Sequence, residues 1–393
     1  MRVLAKIKVA AKVALTPLRE RWERQQHAGL YTLLHENLEP ETHLREAALW
    51  MCRAQDHGSD RGVSYGAVFG QSFLPSYPET TGYLIGTFLE LARYYGDETY
   101  FQRAKQMGDW EAEIQMGCGA VMGGTYTTQP TPAVFNTGMV LLGWADLYRK
   151  TGLEHYRLAG GRAARWLLEM QEPNGQWIHG NSQFANAATT VYNVKAAWGL
   201  AEMGAALGEL TFVHAAARNA EFALTRQTRN GWFEDCCLED ASRPLTHTIA
   251  YTMQGLIGIG RITKRQEFVE GAARTAEALL NSMDDDGYIS GRFDRDFRPA
   301  ADWCCLTGTA QISIVWSQLA SLMHAPRYAE AAERANRYLM ARHDISSSNP
   351  TIRGGLAGSW PVWGEYGRFK VLNWATKFFT DALLARVRQP REC

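Results

Sequence analysis

Neither sign of charge is in excess: lysine plus arginine and aspartate plus glutamate both total 41, so no long-range field draws this chain to nucleic acid. Cysteine is sparse and odd in number, seven in 393 residues (Cys52, Cys118, Cys236, Cys237, Cys304, Cys305 and Cys393). That count argues against a disulfide framework and predicts a reducing, cytoplasmic setting. No apolar run approaches the roughly 18 residues that span a bilayer. The N-terminus, MRVLAKIKVAAKVALTPLRERWERQQ, is basic, but Lys6, Lys8 and Lys12 interrupt it and no small-residue cleavage site follows, so it does not read as a secretory signal. Residues 1–36 form an expected basic helical extension, either solvated or held on an anionic membrane surface by its Lys and Arg residues. What the chain does have is a 46% hydrophobic composition, enough for one large core in residues 37–393.

That core is repetitive. One aromatic opens a series of similar helices: Tyr100, Tyr156, Phe212, Phe268 and Tyr328, spaced by 56 residues three times and then by 60. A fixed period of this length marks a repeated supersecondary unit. Eighteen residues before the first four stand Gly82, Gly138, Val194 and Ala250, each inside an apolar helix with few charges; the fifth unit has Gly308 and Ala310 there. These helices read as buried on most sides, whereas those opened by the aromatics alternate Arg, Lys and Glu with Ala at helical spacing and have one solvated face. A sixth apolar helix, LNWATKFFTDALLARV, and an unmatched outer one, ETHLREAALWMCRAQ, lie at opposite ends of the sequence. Pairing them closes a ring, so the expected fold is an all-α (α/α)6 toroid of six helical hairpins.

The connections differ in length. Inner-to-outer turns such as YYGDETY and KTGLEHY are short, while outer-to-inner loops run about 20 to 30 residues and are rich in Gly, Trp, Tyr, His and Asp. Long loops without structure of their own are uncommon unless functional, which puts the working face where inner helices start. PNGQW, NGW, DDGY and RGVSY recur in these loops as turns, and the aromatic after each either lines a cleft or pins its loop.

The pattern resembles the six-hairpin glycosidase superfamily and, more loosely, terpenoid cyclase and lanthionine cyclase toroids. YPETTGY, PLTHTIAY, CLTGTAQ and GSWPVWGEYGRFKVLNWATKFF are similar to segments of toroid proteins encoded in bacterial surface-polysaccharide gene clusters. The resemblance implies a carbohydrate-active enzyme acting on an oligo- or polysaccharide in surface or exopolysaccharide metabolism, most simply a glycoside hydrolase, with no cofactor. A terpenoid cyclase would need an acidic proton-donor run, and Asp284, Asp285 and Asp286 instead occupy a turn position. Lanthionine cyclases hold zinc through a Cys-His-Gly segment absent here; Cys236, Cys237, Cys304, Cys305 and His247 nonetheless lie near neighbouring helix starts and read either as zinc ligands or as small buried thiols.

Glu79, beside Tyr77-Pro78, and Asp302 precede or open inner helices; they read as helix-end carboxylates or as the acid and base that glycoside hydrolysis requires. His247 and Tyr251, four apart on one helical face, are a core pair or the base and acid of a uronate lyase or C5-epimerase. Tyr77, Asn136, Tyr192, Asn193, Thr307, Asn373 and Lys377 stand at or near helix starts as candidate sugar-binding groups. Trp177, Trp232, Trp303, Trp360, Trp363 and Tyr366 offer aromatic faces for sugar rings, and Arg292, grouped with Arg295 and Arg298, offers a fork for a carboxylate. A noncatalytic glycan-binding toroid is the reading from another class.

Overall fold

A computed structural model describes residues 34, 38–127, 129–181, 185 and 191–388. The basic extension expected at 1–36 lies outside the described residues apart from Leu34. Twelve α-helices are found among the described residues, alternating outer and inner: α1 (Pro40–Asp56), α2 (Pro78–Tyr95), α3 (Glu98–Glu113), α4 (Val134–Thr151), α5 (Glu154–Met170) and α6 (Val194–Leu207), the last preceded by a single 3-10 turn, Val191–Asn193. Then follow α7 (Leu210–Thr225), α8 (Thr246–Thr263), α9 (Gln266–Leu280), α10 (Leu306–Leu322), α11 (Pro326–Met340) and α12 (Asn373–Arg388).

The even-numbered helices form the inner ring, each packed on the next, and α12 packs on α10, α2 and α1 to close it. Close approach of these helices explains the small residues at their shared positions. A Cβ at Gly82 would meet the Val140 backbone at 2.5 Å, one at Gly255 would meet Val194 at 2.5 Å, and one at Gly199 would overlap the Gly138 carbonyl oxygen. Inner helices stop at left-handed glycines, Gly96, Gly152 and Gly208, again 56 apart, and the next helix starts within two residues. Outer helices carry the solvated face: in α11 the buried positions include Tyr328, Ala331, Ala332, Ala335, Tyr338 and Leu339, a helical stripe.

At the other end the long loops are pinned to the outer helices by one device used repeatedly. Gly119, Gly175 and Gly231 sit at φ 95°, 92° and 90°, where a Cβ would stand 2.7, 2.5 and 2.8 Å from the carbonyls of Arg162, Arg218 and Arg274. Gln171 donates to Gly175 O at 3.0 Å and Ala215 O at 2.9 Å while accepting from Arg218, and Gln115 and Gln227 repeat this with Arg162 and Arg274. Gly287 keeps the same conformation in the DDGY turn, and Asp284, Asp285 and Asp286 there are exposed. Two short antiparallel pairs tie the loops to one another: β1 (Gly66–Val68) with β4 (Lys370–Leu372), and β2 (Cys304–Cys305) with β3 (Ser359–Trp360). No helix among the described residues is long and apolar enough to cross a membrane.

Candidate functional site

The long-loop end of the ring encloses a cavity of about 270 Å³. Its lining comes from starts of inner helices and from the loops between them: Tyr77 just before α2 and Glu79 within it, Phe135 of α4, Tyr192 before α6, His247 and Tyr251 of α8, and Trp374 of α12. Tyr65, Glu239, Arg292, Glu365 and Tyr366 add to it from the loops. Pro78 at the first position of α2 sets the helix entry and puts Glu79 in its first turn, where the carboxylate faces the cavity rather than capping the helix.

Tyr77 Oη donates to Glu79 Oε2 at 2.9 Å. Burial pushes the Glu79 carboxyl up to about 7, and the hydrogen bond from Tyr77 only partly opposes this. Aromatic faces surround it: Tyr65 stacks on Tyr77 with centroids 5.5 Å apart, and Tyr65 meets Trp374 edge-on at 4.6 Å. On the far wall Phe135 packs on Tyr251 at 4.9 Å, and His247 lies between Tyr251 at 4.2 Å and Tyr366 at 4.9 Å. Tyr366 is itself held by Trp374 Nε1, which donates to its hydroxyl at 2.8 Å. His247 Nδ1 is 2.7 Å from Gln311 Oε1, so Nδ1 carries the hydrogen, and Nε2 has no partner among the described residues. Burial lowers the imidazole to about 4, leaving it neutral at physiological pH. At the rim Arg292 Nε donates to Glu365 at 2.9 Å and Nη1 to Arg243 O at 2.8 Å, which leaves the rest of its fork for a ligand.

Several expected site residues lie elsewhere. Asp302 is exposed and outside the cavity lining, so it does not face Glu79 as the second carboxylate; Glu239 and Glu365 are the other carboxylates at the cavity. Asn136, Asn193, Thr307 and Asn373 are buried beneath the site rather than open to it. Asn136 Nδ2 donates to Met122 O at 2.9 Å, Asn193 Nδ2 to Asn181 at 3.0 Å and Asn373 Nδ2 to Ser64 O at 2.7 Å, so each ties a loop to its helix. Trp177 is sealed and donates to Leu167 O at 2.9 Å; Trp232 and Trp303 are likewise buried, and all three pin loops and present no face to a sugar. Trp360 and Trp363 are half-buried but outside the lining. Lys377 lies one helical turn below Asn373 and lines a separate cavity of about 1370 Å³ at the opposite end of the barrel, paired with Asp381 at 2.6 Å.

Three of the four candidate thiols are accounted for by packing and hydrogen bonds, while Cys237 lines the cavity. Cys236 Sγ is 3.1 Å from Thr252 Oγ1, Cys304 Sγ is 3.2 Å from Thr309 Oγ1, and Cys305 Sγ accepts from Gly308 N at 3.4 Å to cap α10. Burial raises all three, to between about 11 and about 12, so they stay protonated. Among the described residues no three His, Cys, Asp or Glu side chains are grouped to hold a metal.

Of the two readings of the aromatic in RGVSY, Tyr65 takes the cleft-lining one, whereas sequence reasoning missed Phe135, Glu239, Glu365 and Trp374. Phe135 and Trp374 each adjoin a residue that was singled out, Asn136 and Asn373.

No family model matches the sequence, and no curated protein matches it. Solved structures do match the fold. An unsaturated glucuronyl hydrolase specific for heparin superposes with a TM-score of 0.70 at 16% identity, over 88% of this chain and 96% of that one. The unsaturated glucuronyl hydrolase of Bacillus sp. GL1, responsible for the degradation of glycosaminoglycan, gives 0.71 at 15% identity over 89% and 97%. Cellobiose 2-epimerase from Bacillus thermoamylovorans gives 0.71 at 9% identity over 88% and 98%. The chain therefore shares the (α/α)6 toroid fold of these structures.

Proposed function

We propose that the protein is a carbohydrate-active enzyme, a glycoside hydrolase that removes a terminal sugar from an oligo- or polysaccharide of bacterial-surface type. The observation that carries this is the Glu79 carboxyl, held near half-protonation at neutral pH inside an aromatic cavity. A volume of about 270 Å³ falls just under the roughly 300–1,000 Å³ of typical ligand pockets, which suits one end of a glycan rather than a chain running through. Arg292 at the rim suits a sugar carboxylate, so an acidic glycan is the favoured substrate. In the proposed reaction Glu79 gives its proton to the leaving glycosidic oxygen as the C–O bond breaks. A water attacks the sugar carbon and loses a proton to His247 Nε2, and solvent exchange then restores both groups. The unpaired cysteines support a cytoplasmic location, and contact of the N-terminal basic segment with a membrane remains part of the proposal.

The test is Glu79→Gln, which keeps shape but cannot supply the proton. Turnover of an acidic oligosaccharide should fall at least about 100-fold, with the fold and glycan binding by calorimetry retained. A second reading, a uronate lyase or C5-epimerase, is favoured by the free Nε2 of His247 beside Tyr251. Under it His247→Ala and Tyr251→Phe are inactive while Glu79→Gln still turns over. The products also separate the readings: new reducing ends for a hydrolase, an unsaturated ultraviolet-absorbing sugar for a lyase, inverted stereochemistry without cleavage for an epimerase, and binding alone for a noncatalytic toroid.

A further inference from the structure

A line of buried polar side chains crosses the barrel between its two cavities. Lys195 of α6 is 3% exposed at the floor of the large opposite cavity, and its Nζ donates to Gln254 Oε1 at 3.0 Å. The same Gln254 oxygen lies 3.4 Å from Gln311 Nε2, and Gln311 Oε1 lies 2.7 Å from His247 Nδ1. Gln254 is 5% and Gln311 0% exposed, so solvent offers these amides little alternative partner.

Each link has its direction forced by the one before. As an ammonium Lys195 has three donors and no acceptor, so in that state Gln254 must turn its oxygen toward it. That oxygen can receive only an N–H from Gln311, which turns the Gln311 oxygen to the histidine. A carbonyl oxygen accepts only, so the histidine hydrogen sits on Nδ1, and Nε2 keeps its lone pair for the cavity. Reversing both amides would set the Gln254 amino group against the Lys195 ammonium. Burial, with the nearby Lys377 adding to it and Asp381 opposing it, lowers Lys195 well below the ordinary lysine range, while the faces of Trp198 at 4.2 Å, Tyr251 at 5.9 Å and Phe378 at 5.9 Å favour its charge.

We propose that Lys195 is a positioning residue that fixes His247 as the Nδ1–H tautomer through Gln254 and Gln311, from the far end of the barrel. Use of Nε2 as a proton acceptor rests on the hydrolase reading; the tautomer does not.

The test needs no substrate. In nitrogen-15-labelled protein, long-range proton–nitrogen spectra identify which ring nitrogen of His247 is protonated, with the signal assigned by its loss in His247→Ala. The wild type should show Nδ1–H alone, and Lys195→Met should lose that single pattern and show both tautomers, because the two amides are then free to reverse together. Gln254→Leu breaks the line with Lys195 in place and gives the same result if Lys195→Met does not fold; Lys195→Arg should retain Nδ1–H. A wild type with Nε2–H, or both breaking variants with unaltered Nδ1–H, overturns the proposal. With a verified substrate, equal tautomer populations should lower kcat about twofold with little change in KM. An unchanged kcat alongside a lost tautomer upholds the relay and removes Nε2 from the proposed reaction.

Discussion

Glu79 and Glu111 are both carboxyls that burial raises, yet only one faces a cavity. Glu111 of α3 is 0% exposed with neither oxygen paired among the described residues, and its carboxyl is pushed well above the usual range by burial, with Asp60 adding to the effect. A raised carboxyl binds its proton more tightly folded than unfolded, so its stabilising contribution is complete below about 4.5 and is lost as pH rises through the folded value. Glu111→Met should therefore raise stability by about 1–3 kcal/mol at pH 8, with the gain shrinking toward pH 4.5, as read by urea unfolding at several pH values. For Glu79, whose folded value is about 7, the expected outcome is kinetic: kcat/KM falls as pH rises through about 7, and this limb is absent from the residual rate of Glu79→Gln. The same scale explains which site residues were legible. Glu79, Tyr192, His247 and Tyr251 follow from chemistry placed at helix starts. The helix-start reading falls on Asn136 and Asn373 where Phe135 and Trp374 line the cavity, because neighbouring positions on a helix point about 100° apart and a one-residue choice exchanges a packed side chain for an open one. Trp177 and Trp232 resemble cleft aromatics in composition, since a residue after a turn is equally able to face in or out; only the packing against Leu167 and the outer helices decides.

Among elements, the inner helices are the most constrained, and the 56-residue period made them legible: the first outer helix, expected at 41–55, spans Pro40–Asp56, and the last inner one, expected at 372–387, spans Asn373–Arg388. Hairpin geometry repeats because the requirement repeats, small residues where inner helices touch and a left-handed stop where they end. The two short sheets were not legible, since strands of two or three residues carry no periodicity to detect. Gly199→Ala should cost about 1–3 kcal/mol in urea unfolding, because the added methyl overlaps the Gly138 carbonyl and α4 and α6 must separate. Gly152→Ala, where a Cβ meets nothing, should cost less, from its left-handed φ of 65° alone.

At the scale of the molecule, five hairpins are joined by turns and the sixth is formed by the two ends of the chain. Trp50 of α1, fully buried, donates to Thr351 O at 2.9 Å; Arg353 pairs with Glu46, and Thr87 donates to Asp381 at 2.8 Å, so residues about 300 apart meet along this seam. Trp50→Ala should destabilise the protein by about 3–5 kcal/mol in denaturant unfolding. The seam also decides when the molecule acquires its site during synthesis. Tyr65 and Glu79 leave the ribosome about 300 residues before Trp374, which closes the cavity wall against Tyr65. A nascent chain therefore carries Glu79 without a pocket around it until Trp374 has been made, and the enclosure that raises that carboxyl forms only when α12 packs on α2.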